Sequence, residues 1–168
     1  MKSLPIAAAL VLSAALVLTG TANAATASGS ANASIVAALA ISNTVALNFG
    51  QIAPTIAIGA VTVGTTGARS FTGGVTLANG TPPTAASFGV TGAPSNTYAI
   101  TLPADIDVTL TGPGAPMTVT GFVSDPPTSG ILSAGGTQTL LVGATVHVGV
   151  SQVAGAYTGL FNVDVVYN

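Results

Sequence analysis

An all-β domain, a sandwich or a barrel, is the fold class this sequence predicts, and three observations predict it. Beyond residue 24 the chain is a succession of segments rich in Val, Ile, Leu, Thr and Ala in which apolar residues recur with a period of two, the periodicity of a strand. Turn signals cut these segments at short intervals: Gly73-Gly74, Asn79-Gly80, Pro82-Pro83, Gly112-Pro113-Gly114, Pro126-Pro127 and Gly135-Gly136. No stretch after residue 24 carries a convincing helical period; the Ala-containing run around Ala38 to Ala40 has β-branched neighbours and keeps the odd-position alternation of a strand.

The first residues set the compartment. Lys2 is followed by an apolar stretch from Leu4 to Leu18, too short to span a bilayer comfortably, and then by Ala22-Asn23-Ala24, a small-x-small cleavage pattern. A signal peptide over residues 1–24, cut between Ala24 and Ala25, is therefore expected, with a retained membrane anchor as the weaker alternative. The chain has no Cys, so neither a lipid anchor on Cys nor a disulfide is expected, and a core of this length can form without such a staple. The expected destination is the periplasm, the cell surface or the medium of a Gram-negative bacterium.

Each segment of the mature chain has its reason. Residues 25–34 are small and polar without apolar periodicity and read as a flexible arm, and residues 35–168 as one β domain. Ile35, Ala37, Leu39 and Ile41 share a face, and Val45, Leu47 and Phe49 continue that parity until Gly50 and Pro54 end the unit. Ile56 and Ile58 precede a change of parity to Val61 and Val63, which places a bulge or bend at Gly59. Further strands are expected over 71–77, 87–91, 97–102, 107–111, 117–123 and 137–150. In the last, 157–167, Tyr157, Phe161, Val163, Val165 and Tyr167 face one way and Thr158, Asn162, Asp164 and Val166 the other. The last two strands are expected to form a long antiparallel hairpin at the centre of the sheet.

The residue inventory excludes much. Residues 25–168 hold one Arg (Arg69), one His (His147) and four Asp, and no Lys, Glu, Cys or Trp. The resulting charge of −3 offers no basic patch for nucleic acid or anionic membrane, and a phosphate loop would need a Lys. His147, between Val146 and Val148, sits on the parity of Thr145 and Gly149, the half-exposed side of its strand; with no second His, Cys or Glu it is expected to be structural, not a base or metal ligand. Asp105 and Asp107 would point the same way on a strand, but two carboxylates fall short of the six to eight oxygens calcium takes, and a turn after Pro103 explains Asp105 as well. No Gly-x-Ser-x-Gly elbow is present. No catalytic residue, cofactor or metal is expected, and the chain is not expected to be an enzyme. Arg69, as the lone cation, is expected to satisfy an Asp or loop carbonyls.

The order of local patterns resembles the bacterial domain-of-unknown-function family 4402. The matching pieces are Leu47-Asn48-Phe49-Gly50, Gly67-Ala68-Arg69-Ser70 before Gly73-Gly74-Val75, Phe88-Gly89-Val90-Thr91-Gly92, Tyr98-Ala99-Ile100-Thr101-Leu102-Pro103, Val142-Gly143-Ala144-Thr145 and Gly155-Ala156-Tyr157-Thr158-Gly159. The ending also looks like that of chaperone-usher pilus subunits and spore-coat-U-like domains. The resemblance implies an immunoglobulin-like antiparallel β-sandwich and a fimbrial subunit, although many pilus subunits carry the Cys that this chain lacks.

Two functional classes follow. In the first, the protein is a structural subunit that polymerises by strand addition, alone or with related subunits and served by a periplasmic chaperone and an usher. Its donor contacts would be Ile35, Ala37, Leu39 and Ile41, with pairing inside the chain's own sheet as the alternative. A surface of Thr, Ser, Asn and Gly, with charged residues only 4% of the sequence, lacks the lysines that usually guard sheet edges. In the second, it is a monomeric periplasmic or surface binding and adhesion module whose recognition loops are residues 112–116 and 125–130.

Overall fold

The computed structural model describes residues 24–168. The expected export signal lies outside the described residues apart from Ala24. Residues 24–34 form no regular structure and are exposed, as their composition implies. From Ile35 onward the chain builds ten strands: β1 (Ala40–Val45), β2 (Ile52–Val63), β3 (Arg69–Leu77), β4 (Ala86–Thr91), β5 (Thr97–Thr101), β6 (Val108–Leu110), β7 (Met117–Asp125), β8 (Ser129–Ile131), β9 (Thr137–Val148) and β10 (Asp164–Tyr167).

They form an antiparallel β-sandwich of a seven-stranded and a three-stranded sheet, the latter in the order β10-β5-β8. The larger sheet is organised by β9. One flank of β9 pairs with β4 over Thr137 to Val142 and then with β2 over Ala144 to Val148; the opposite flank pairs with β7. β1 extends the sheet beyond β4, β3 beyond β2, and β6 beyond β7.

Strict alternation makes β9 the spine. Leu140, Val142, Ala144, Val146 and Val148 point inward and are buried, while Thr139, Thr145 and His147 point outward. Their cross-strand neighbours obey the same parity: Val61 and Val63 on β2, Ala86, Phe88 and Val90 on β4, Val119 on β7. On the outer face Ser70, Thr62, Thr145 and Thr120 stand in register across four strands, and the Thr62 and Thr145 hydroxyls lie 2.8 Å apart. The core has two clusters, one around Val61, Val119 and Val146 and one around Phe88, Val90, Tyr98 and Leu140. Leu47, Phe122 and Phe161 pack against both. Phe161 joins them most directly, edge-on to Phe88 at 6.0 Å and tilted against Phe122 at 5.3 Å between ring centroids.

Several sequence-based expectations are corrected. Residues 157–167 keep the expected facing, but only Asp164–Tyr167 is a strand, and it pairs with β5 in the other sheet, not with β9. Residues 149–156 are too long and irregular for a tight hairpin turn and carry the chain across the sandwich instead. The first apolar run is not one strand. Residues 35–39 are unpaired, β1 begins at Ala40, and a register shift between Asn43 and Val45 turns Val45 outward before Leu47 and Phe49 rejoin the core. Pro54 does not end its segment: it lies within β2, where that strand has β3 on one side and has not yet met β9. The bulge expected at Gly59 covers Thr55 to Ile58, leaving Ile56 88% exposed. Gly73-Gly74, expected as a turn, lies inside β3 opposite that bulge, and the Thr55 hydroxyl donates to the Gly74 carbonyl at 2.9 Å. β8 was hidden in a segment read as a loop.

Tyr98 carries a testable consequence. Its ring is fully buried, its hydroxyl donates to Gln138 Oε1 at 2.8 Å, and burial pushes its pKa above 10.0. The stabilisation that depends on the neutral phenol is complete below the unfolded-state value near 10 and is lost as pH rises through the folded-state value, because over that window only the unfolded chain has given up the proton. Tyr98→Phe is expected to cost about 0.5–1.5 kcal/mol at pH 7. It should also flatten the fall in stability above pH 10, read from urea midpoints between pH 7 and 11.

Candidate functional site

The sandwich is open along one side, where a groove of about 750 Å³ reaches the first core cluster. One wall is the segment 46–54, the other is 152–161, and the floor includes Val108, Met117, Val119, Val146 and Val148. A volume of that size lies within the range of binding sites.

The first wall is held by hydrogen bonds that the motif Leu47-Asn48-Phe49-Gly50 provides. The Asn48 main chain exchanges two hydrogen bonds of 2.9 Å with Thr84, and its Oδ1 accepts the Gly50 N–H at 2.7 Å, closing an Asx turn. Gly50 adopts φ 74°, and a Cβ there would collide with the Arg69 guanidinium. Arg69 Nη1 donates to the carbonyls of Phe49 at 3.0 Å and Gln51 at 3.1 Å. The lone cation of residues 24–168 is therefore spent on loop carbonyls, one of the two roles foreseen for it, and two motifs twenty residues apart become one clamp. Because charged donors give the stronger hydrogen bonds, Arg69→Met is expected to cost about 1.5–3 kcal/mol. Hydrogen exchange should locate the loosening at residues 48–52.

The second wall is held differently. The Tyr157 hydroxyl donates to the Val153 carbonyl at 2.8 Å and accepts from Gln152 Nε2 at 2.9 Å, while the ring lies against Gly112 and Gly114. Thr158 and Thr111 exchange main-chain hydrogen bonds of 2.8 and 2.9 Å. After that bridge, the main chain of 159–163 makes no backbone hydrogen bond among the described residues until β10 begins. Phe161 and Val163 face the core, and Leu160 and Asn162 face outward.

The other sequence-selected residues lie elsewhere. Ile35 is 97% exposed and Ala37 is exposed, whereas Leu39 and Ile41 are half-buried against the second core cluster of their own chain. His147 is on the outer face of the larger sheet, its Nε2 2.7 Å from the Thr120 hydroxyl. Asp105 is in the turn after Pro103, the second of the two readings its position allowed, and its Oδ1 accepts the Gly121 N–H at 2.6 Å. Among the described residues no three His, Cys, Asp or Glu side chains are grouped to hold a metal. The expected recognition loops are partly committed to the fold, 112–114 against Tyr157 and 129–130 within β8.

The chain is thus an all-β sandwich with an apolar groove at an unpaired stretch of backbone. It belongs to the family described as Domain of unknown function (DUF4402), whose model matches residues 39–167. No curated protein and no solved structure was found to match it.

Proposed function

We propose that this protein is an exported, non-catalytic structural subunit of a fimbrial or related cell-surface assembly, and that copies join by strand addition. In this reading the groove between 46–54 and 152–161 of one copy receives the segment Ile35 to Ile41 of the next. Ile35, Ala37, Leu39 and Ile41 enter the groove as alternating anchors.

The observation that carries the reading is that the unbonded main chain of 159–163 borders the apolar groove at Gly159 and Phe161. A strand laid there gains both parts of strand-addition recognition, backbone hydrogen bonds for affinity and side-chain pockets for specificity. Seven extended residues span about 23 Å. Burying one exposed Ile contributes about 1.5–3 kcal/mol. The scarcity of charge acts in the same direction, since no Lys follows residue 24 to guard an open edge. Lys2, the apolar Leu4 to Leu18 and Ala22-Asn23-Ala24 support export, and an open groove is a surface that a periplasmic chaperone would cover before an usher assembles the subunits.

The test is assembly of the secreted, processed chain at increasing concentration, followed by light scattering and electron microscopy. Growth of filaments is expected; a strictly monomeric protein at high concentration would overturn the reading.

A further inference from the structure

The donor segment is not free along its whole length. Its last two residues, Ala40 and Ile41, open β1, which lies at the edge of the larger sheet with β4 as its only ladder partner among the described residues, in register from Ala40 opposite Thr91 to Val45 opposite Ser87. Five of its six residues are exposed, and only Ile41 turns toward the core. Asn43 Nδ2 and the Thr44 hydroxyl both donate to the Ser87 carbonyl, at 3.3 and 3.0 Å. Just before β1, the Tyr167 hydroxyl donates to the Ala37 carbonyl at 2.9 Å and accepts the Ala93 N–H at 2.6 Å. The hydroxyl fits there because residue 92 is Gly; the Cβ of any other residue at that position would strike it.

Leu39 and Ile41 cannot occupy the second core cluster of their own chain and the groove of another copy at once. We propose that the self-paired β1 is an inhibitory store of the donor, and that a second copy takes it only after β1 lifts from β4 and Tyr167 releases Ala37. The inference rests on the strand-addition reading. Peeling has a natural stop: from Ala46 onward the chain is fixed by the Thr84 hydroxyl on the Ala46 carbonyl, by Leu47 packed on both core clusters, by the Asn48–Thr84 bridge and by the Arg69 clamp, so the hinge is the Val45-Ala46 junction and the groove wall stays in place. The contacts that hold β1 come from residues more than forty positions away, apart from the short-range bond between Asn43 and Val45, so the whole strand leaves as a unit. Release sets the fraction of competent donors, and that fraction multiplies the apparent affinity between copies.

A cross-strand disulfide tests this, since the chain has no Cys of its own. Ala40 and Thr91 are exposed register partners, so the double variant Ala40→Cys/Thr91→Cys in the full secreted chain locks β1 on β4 when oxidised and frees it when reduced. The reduced form is expected to assemble like the unaltered protein and the oxidised form about tenfold or more slowly, with recovery on adding a reductant. Tyr167→Phe should shorten the lag several-fold. If oxidised and reduced forms assemble at equal rates, storage in β1 is overturned while strand addition stands. If neither these forms nor Tyr167→Phe ever leaves the monomeric state, strand addition itself falls. Assembly by Tyr167→Phe alone would support the store.

Discussion

Ile35→Asp is expected to abolish assembly while leaving the folded monomer as stable as before. Ile35 is 97% exposed, so its replacement should change unfolding free energy by no more than about 0.5 kcal/mol. In the groove of a second copy, whose floor includes Val146, Val148 and Met117, a carboxylate would lose its water and find no cation. A penalty of about 3 kcal/mol, roughly a hundredfold in affinity between copies, is the expected result. Light scattering and thermal unfolding on the same sample check it. An Ile35→Asp protein that still forms filaments would remove Ile35 from the contact. The pairing of an unchanged melting temperature with lost assembly separates this role from a fold defect.

Phe161→Ala is expected to give the largest loss of stability among single substitutions at the groove, about 3 kcal/mol. The ring is the direct link between the two core clusters, touching Phe88 on one side and Phe122 on the other, so its removal leaves a void that neither cluster can close alone. For a chain of this size the melting temperature should fall by roughly 6–12 °C. Chemical denaturation followed by tyrosine fluorescence and by far-ultraviolet circular dichroism provides the check. Coincident transitions would mean that the clusters still unfold together, and divergent ones that Phe161 had been what coupled them.

Much of the fold was legible because a strand writes its facing into the sequence with a period of two. β9 shows this best: the even positions from Leu140 to Val148 are buried without exception, and the same parity is readable in Val61, Val63, Phe88 and Val90. Even where the chain is not a regular strand, as over 157–163, the alternation of Tyr157, Phe161 and Val163 against Thr158 and Asn162 holds. Parity does not encode partnership, however. Asp164 to Tyr167 reads equally well against β9 or β5, and only the distance that residues 149–156 must cover decides for β5. Ile56 and Ile58 misled for a related reason: their alternation is that of a strand, but they fall in a bulge that the paired glycines of β3 admit, and so face water.

The groove was less legible, since its walls lie about a hundred residues apart and its floor comes from three other strands. Its local devices did leave signals. Asn48-Phe49-Gly50 has the spacing of an Asx turn ending on a residue free to take positive φ, and a single Arg in so uncharged a chain had to find acceptors somewhere. Nothing local, however, could show that Arg69 meets that same turn.

One consequence of the arrangement around β9 concerns time. The strands β2, β4 and β7 all lie upstream of the element that unites them, and β9 starts only at Thr137. As the polypeptide leaves the ribosome, its first hundred-odd residues can make β2-β3 and β1-β4 ribbons, but no sheet into which to bury them. Closure therefore waits for nearly the last fifth of the sequence to emerge. Under the export proposed for this chain, that late keystone would supply a built-in delay before folding, and truncation before residue 137 should leave a protease-sensitive thread in place of a smaller domain.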